Sequence, residues 1–168
     1  MNKLWSPWRS KYIESFTTSG SSGGCIFCEA VKQDVDDKNN LLVNKTDLTF
    51  TILNLYPYNN GHLMVVPNRH IGEFDDLSEA ESNKIMMELK LAKAALADIL
   101  RPHGFNIGAN LGKVSGAGID EHIHFHIVPR WNGDTNFMPV LGEAKVISQD
   151  LMETKLKLLE AYSKLKKN

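Results

Sequence analysis

The sequence lacks a long apolar run, lacks an excess of charge of either sign, and holds only two cysteines. No apolar stretch approaches the roughly 18 residues that a membrane-crossing helix needs. Residues 1–10 show no apolar core of a secretory signal, so a cytoplasmic location is the expectation. Lysine and arginine total 19 against 20 acidic residues. That balance argues against binding nucleic acid or an anionic membrane through bulk charge, while leaving room for a local phosphate site. Two cysteines cannot form a disulfide framework. Cys25 and Cys28 stand in C-x-x-C spacing, which in a reducing compartment reads as metal-binding or redox-active. With 42% apolar residues over 168 positions, the chain suits one domain with appendages.

The residues that are present divide unevenly. Residues 1–24 hold an aromatic-basic arm (Leu4, Trp5, Trp8, Arg9, Lys11, Tyr12) and then a Thr/Ser/Gly run from Thr17 that resists regular structure. Residues 25–140 are expected to form the domain, and 141–168 a C-terminal helical extension of it. Short strands are predicted over 41–44, 48–53 and 62–67, with Tyr56-Pro57-Tyr58-Asn59-Asn60-Gly61 as a turn. Ser78 and Glu81 have capping-box spacing. Ile85, Leu89, Ala92, Leu96 and Ile99 follow at helical intervals, so a long helix is predicted from Ser78 to a stop at Pro102 and Gly104. Two more strands, 105–111 and 122–128, flank a loop containing Gly112, Gly116 and Gly118. A last helix over about 149–166 carries a wide apolar half: Leu151, Met152, Leu156, Leu158, Leu159, Tyr162 and Leu165. This order predicts an α+β fold, an antiparallel sheet of about five strands with one long helix and a C-terminal helix.

Most of the chemical information lies in Glu121-His122-Ile123-His124-Phe125-His126-Ile127-Val128-Pro129. Strand side chains alternate, so three imidazoles would share one face at roughly 6.7 Å intervals. Ile123, Phe125 and Ile127 would cover the other face and pack on a helix. A single core histidine is common, but three in alternation need another reason. Catalysis is one; a three-histidine site for zinc or copper is the rival.

The run from His122 to Val128 matches the pattern His-φ-His-φ-His-φ-φ, with φ apolar. Asn60-Gly61-His62-Leu63-Met64-Val65-Val66-Pro67 is similar to the segment that supplies a fourth histidine. Together, over residues 25–131, the chain resembles the histidine triad superfamily of nucleotidyl hydrolases and transferases. The resemblance implies that His124 attacks an α-phosphorus to give a nucleotidyl-histidine intermediate, which splits one hard displacement into two easier ones. It implies that His126 donates a proton to a phosphate oxygen or the leaving group and that His62 orients the cluster. It further implies Asn54 on the ribose hydroxyls, Asn110 on the phosphate, and the loop at Ser115 and Gly116 offering N–H groups to the same phosphate. Ile52, Leu55 and Leu63 are plausible walls for the base. A homodimer is expected of the family.

Many relatives place a Gln followed by Ser or Thr shortly before the triad. Gly118-Ile119 stand there instead. Gly116-Ala117-Gly118-Ile119, Pro129-Arg130-Trp131, Gly133-Asp134-Thr135-Asn136-Phe137 and the opening Leu4-Trp5-Ser6-Pro7-Trp8-Arg9 resemble the bacterial branch that includes diadenosine tetraphosphate phosphorylases. Inorganic phosphate or water could then be the acceptor. By likeness to zinc-bearing relatives, including the galactose-1-phosphate uridylyltransferases, Cys25, Cys28, His70 and His122 would hold a structural Zn2+; reduced thiols without metal are the alternative. His103 is assigned no function. A dinucleoside polyphosphate such as diadenosine tetraphosphate is the leading substrate class, with a nucleoside phosphoramidase as the alternative enzyme. A non-catalytic zinc or nucleotide-binding module is the second class of function. A nucleic-acid binder using Trp5, Trp8 and Arg9 is the third, and the charge balance disfavours it.

Overall fold

A computed structural model describes residues 24–135 and 149–167. The aromatic-basic arm and the Thr/Ser/Gly run up to residue 23 lie outside the described residues, as do Asn136 and Phe137. Among the described residues are five strands, β1 (Leu42–Lys45), β2 (Thr49–Leu53), β3 (Leu63–Pro67), β4 (Gly104–Ala109) and β5 (Phe125–Arg130). Three α-helices accompany them, α1 (Ile26–Ala30), α2 (Glu79–Leu100) and α3 (Leu151–Leu165). The sheet order is β1-β2-β3-β5-β4, and every neighbouring pair is antiparallel. The expected α+β class and strand number are therefore met. Among the described residues no helix is long and apolar enough to cross a membrane.

The sheet separates two apolar layers, and strand alternation decides which residue enters each. Leu53, Leu63, Val65 and Ile127 face α2 and α3, where they join Ile85, Leu89, Ala92, Leu96, Leu158 and Tyr162. Phe50, Met64 and Val66 point the other way, to Phe27 and Ala30 of α1. Leu63 thus packs under the helices, fully buried, and its expected place in a base-binding wall is corrected: it sits one residue out of phase with His62 and Met64.

Three further expectations change. The predicted strand over 122–128 begins only at Phe125, because the ladder with β3 starts at Phe125 opposite Val65. The backbone before it is hooked elsewhere, Ile123 N–H donating to Ile71 O at 2.7 Å. Gly72 allows that approach, since a Cβ there would meet Asp120 O at 2.9 Å. The short helix α1 inside the cysteine pair was not anticipated. Finally, the apolar half of α3 is narrower than its leucines suggest: Leu156 is 55% exposed, while Thr154 and Lys155 are buried.

Gly61 needs its identity at the turn into β3. Its φ is +72°, and an added Cβ would lie 2.5 Å from Leu100 Cδ1. Helix α2 starts as the sequence predicts. The Ser78 hydroxyl accepts from Glu81 N–H at 3.2 Å, and Ser78 N–H donates to Glu81 Oε2 at 2.9 Å. Arg69 joins this cap through Nε and Nη2, at 3.0 and 2.8 Å from the same carboxylate. The guanidinium, with help from Ser78, holds the Glu81 carboxyl down at about 2. The helix ends at Arg101, whose φ of +47° is left-handed, and Pro102 follows. Ser78→Ala is expected to cost about 1 kcal/mol of stability, seen as a lower urea midpoint with an unchanged slope.

Candidate active site and metal centre

Four histidines meet on the α1 side of the sheet, each nine-tenths or more buried. His126 lies in β5 opposite Met64 of β3, and His62 directly precedes β3. Hydrogen-bond direction fixes their tautomers. The Tyr58 N–H can only donate, and it reaches His62 Nδ1 at 3.0 Å; the Asn54 amide is 3.3 Å from the same nitrogen. The proton of neutral His62 therefore sits on Nε2, which donates to His126 Nδ1 at 2.9 Å. In turn the proton of His126 sits on Nε2. That N–H is buried and has no partner among the described residues.

His124 is set by the opposite logic. Its Nδ1 lies 2.9 Å from the His122 carbonyl oxygen, which can only accept, so Nδ1 carries the proton and Nε2 the lone pair. The His124 and His126 rings stand edge to face with centroids 4.9 Å apart. A lone pair and an unpartnered N–H thus sit on neighbouring rings. Burial pushes His124 below the ordinary imidazole range against the pull of its carbonyl partner. Burial, then the nearby His124, brings His126 down to about 4. Both are neutral near pH 7. The Phe27 ring packs 5.0 Å from His124, and Tyr58 lies 4.6 Å from His62.

A cleft of about 360 Å³ has walls formed by Phe27, residues 39–41, Ile52, Asn54, Leu55 and Met64 among others; Phe27 and Asn54 link it to the rings of His124 and His62. Ile52, Asn54 and Leu55 were expected there from the sequence. Asn54 is nonetheless buried, with its Oδ1 accepting Tyr56 N–H at 2.9 Å. Asn110 comes one residue past the pair Ala109–Phe125, level with His124. Ser115 and Gly116 lie at a 3-10 turn, Lys113–Ser115. There the Ser115 hydroxyl and both N–H groups bond back to Gly112 and Lys113. Tyr58 and Phe27 escaped the sequence reading, although one sits in the recognised turn and the other between the cysteines.

Cys25, Cys28, His70 and His122 come together with all four donor atoms within 4.8 Å of one another. Cys25 Sγ is 3.3 Å from His122 Nδ1, and Cys28 Sγ is 3.3 Å from His70 Nδ1 and 3.7 Å from His122 Nδ1. A tetrahedral zinc bound to two sulfurs and two nitrogens has ligand–ligand edges of roughly 3.3–3.8 Å. The donor set fits such an ion. His122 Nε2 donates to Pro67 O at 2.9 Å, leaving the Nδ1 lone pair for the sulfur side. Burial raises the Cys28 thiol, and Cys25 beside it raises it further, so a cation would be needed to hold the Cys28 sulfur as a thiolate.

An antiparallel sheet that gathers neutral imidazoles, hydrogen-bonded to one another and to the backbone, is the architecture of a histidine triad protein. The HIT domain family model matches residues 36–133, and the chain belongs to that family. It is 39% identical over 169 residues to an AP-4-A phosphorylase of Mycobacterium tuberculosis, covering 98% of this chain and 86% of that one. It is 31% identical over 108 residues to an adenosine 5'-monophosphoramidase of Schizosaccharomyces pombe, covering 64% of this chain and 75% of that protein. Among solved structures, a Zn-bound histidine triad family protein from Mycobacterium smegmatis matches with a TM-score of 0.70 and 26% identity, over 86% of this chain and 96% of that one.

The buried neutral histidines make stability depend on acid. In the unfolded chain imidazoles take up protons near 6.5, whereas folded His126 resists to about 4. Between those values the unfolded state binds more protons, so stability falls as pH falls through that window. The unfolding midpoint should drop across it, and His126→Gln should flatten the drop. A midpoint indifferent to pH there would remove the neutral assignment.

Proposed function

We propose that this chain is a nucleotidyl hydrolase or transferase acting at the α-phosphate of a dinucleoside polyphosphate of the diadenosine tetraphosphate type. The observation that carries the reading is the pairing of the His124 Nε2 lone pair with the orphaned His126 Nε2–H. An unpaired buried donor is costly, and a phosphate oxygen is the acceptor that would satisfy it.

In the first step His124 Nε2 forms a bond to the α-phosphorus, and the bond from phosphorus to the bridging oxygen breaks. The departing nucleoside polyphosphate leaves with the electron pair as an oxyanion, and the His126 Nε2–H donates a hydrogen bond to that oxygen as its charge develops. The His62 Nε2–H keeps its bond to His126 Nδ1, which holds the His126 donor aimed at the phosphate through the step. In the second step water or inorganic phosphate attacks the phosphorus, and the nitrogen–phosphorus bond breaks. Water yields a nucleoside monophosphate and phosphate yields a nucleoside diphosphate. The phosphorylase likeness favours the second.

The cleft would take the nucleoside, with Ile52 and Leu55 against the base and Asn54 at the ribose. Asn110 and the turn at Ser115 and Gly116 would meet the phosphate, Ser115 exchanging its bond to Gly112 for one to a phosphate oxygen. Cys25, Cys28, His70 and His122 would hold a structural zinc that ties α1 to the segment before β5. The open edge of β4, with Ile107 52% exposed, supports a homodimer, since pairing of two copies covers such an edge.

His124→Ala is expected to abolish turnover of diadenosine tetraphosphate. The unaltered chain should form ADP and ATP from it only when inorganic phosphate is present, read by chromatography of products. Full activity in His124→Ala would sink the covalent route, and AMP formed without phosphate would select hydrolysis. Elemental analysis should find one zinc per chain, lost in Cys25→Ser and kept in His124→Ala. Zinc lost with His124 instead would overturn the separation of the two centres.

A further inference from the structure

One buried charge takes no part in the chemistry above. Lys155 lies in the second turn of α3 and is 1% exposed, alone among the described lysines in being buried. Its ammonium donates to three oxygens: Asp37 O at 2.6 Å, Asn40 O at 3.1 Å and Asn40 Oδ1 at 2.9 Å. Three donors meet three acceptors, so the group is fully satisfied. All three acceptors are uncharged; burial pushes the ammonium's pKa down, and the nearby Asp37 and Asp36 carboxylates offset that only in part. Burying an ammonium costs desolvation that neutral oxygens repay only in part, and well-packed apolar side chains often serve a fold as well in such places. The position therefore demands a reason beyond packing.

The reason lies in what the ammonium holds. Asp36, Asp37, Lys38 and Asn39 are exposed, so this stretch contributes no side chain to either apolar layer. Apart from Lys155 it is held by local turns: Asp36 N–H to Asp34 Oδ1 at 3.2 Å, Asn39 N–H to Asp37 Oδ1 at 2.8 Å, and the Asn40 amide to Asp34 O at 2.6 Å. Such turns shape a loop without anchoring it to the body of the protein. Asn40 Oδ1, which Lys155 also grips, accepts the Leu42 N–H at 2.9 Å, so the same amide links the loop to the start of β1. Asn39, Asn40 and Leu41 line the cleft together with Ile52, Asn54, Leu55 and Tyr56. Helix α3 in turn is fixed to the core by Leu158 and Tyr162 and to β1 by Lys166, whose Nζ is 2.5 Å from Asn44 Oδ1.

We infer that Lys155 is a positioning residue for the nucleoside: its three hydrogen bonds fix residues 37–40 as a preformed wall of the cleft, and so set nucleotide affinity rather than the rate of phosphoryl chemistry. This rests on the reading of the cleft as the nucleoside site. Lys155 makes no hydrogen bond to any of the four clustered histidines, so its loss leaves the His124–His126 geometry in place. Without the anchor the wall must be ordered when the nucleotide binds, and binding bears that entropy.

The test is steady-state turnover of diadenosine tetraphosphate by the full chain and its variants, alongside thermal unfolding. Lys155→Met should raise KM about tenfold with kcat within about twofold, and Asn40→Ala should raise KM by less. The double variant should fall short of the product of the two effects, because both remove the same anchor. Lower unfolding midpoints with an unchanged KM in these variants would overturn the inference and leave the proposed function standing. If Lys155→Met does not fold, Lys155→Gln decides in its place: a raised KM with kcat kept supports the anchor and an unchanged KM removes it. Absence of saturable turnover by the unaltered chain would overturn the reading of the cleft, and the inference with it.

Discussion

A main-chain N–H has no choice of role, and the one on Tyr58 points at His62 Nδ1. From that contact the proton positions of two imidazoles follow in sequence, ending with an N–H on the inner face of His126. Reversing it would put two N–H groups face to face at 3.0 Å, so the neutral ring has a single arrangement available. The turn carrying Tyr58 is itself braced. Asn59 donates to Pro129 O at 3.1 Å and to Asp134 Oδ2 at 2.8 Å, and Asp134 is gripped by Arg130 at 2.6 Å. The chain leaving β5 therefore stabilises the turn that sets the tautomer of the histidine before β3.

His122 joins the two centres by using three of its groups at once. Its Nδ1 faces the sulfurs, its Nε2–H is tied to Pro67 O, and its carbonyl receives the Nδ1–H of His124. Phe27 reinforces the joint, standing between the two cysteines and packing on both rings at 5.4 and 5.0 Å. A metal at the four donors would thus hold His122 by its side chain while the His122 backbone holds His124, the proposed nucleophile. Structure and chemistry share a residue without sharing an atom.

Much of this was legible in the sequence because alternation along a strand is a one-dimensional signal. His122, His124 and His126 share a face even though the ladder begins only at Phe125, since extended backbone alternates with or without a partner strand. The capping box at Ser78 was equally local. What stayed hidden depends on contacts between distant segments. Lys155 reads as a solvated lysine on an amphipathic helix until the loop at Asp37 is folded onto it. Leu63 reads as a neighbour of His62 until the pleat sends it to the opposite face. Helix α1 spans only five residues, too few for periodicity to register, and it is held by Phe27 and Ala30 in a layer assembled from three strands.

The burial of the histidines poses a question of balance. Removing an imidazole from water keeps it unprotonated, but the same desolvation resists the positive charge that would build on His124 as a nitrogen–phosphorus bond forms. In the proposed reaction the His122 carbonyl resolves the conflict. Its hydrogen bond is modest while the ring is neutral and strengthens as the ring becomes cationic, because charge-assisted bonds are roughly twice as strong as neutral ones. An interaction worth more at the transition state than in the resting enzyme is the kind that accelerates chemistry. Burial suppresses the protonated resting state, and a fixed carbonyl dipole recovers the stabilisation only when charge develops. In that proposed reaction the two effects together let a low-pKa imidazole serve as a competent nucleophile, which neither burial nor the carbonyl would accomplish alone.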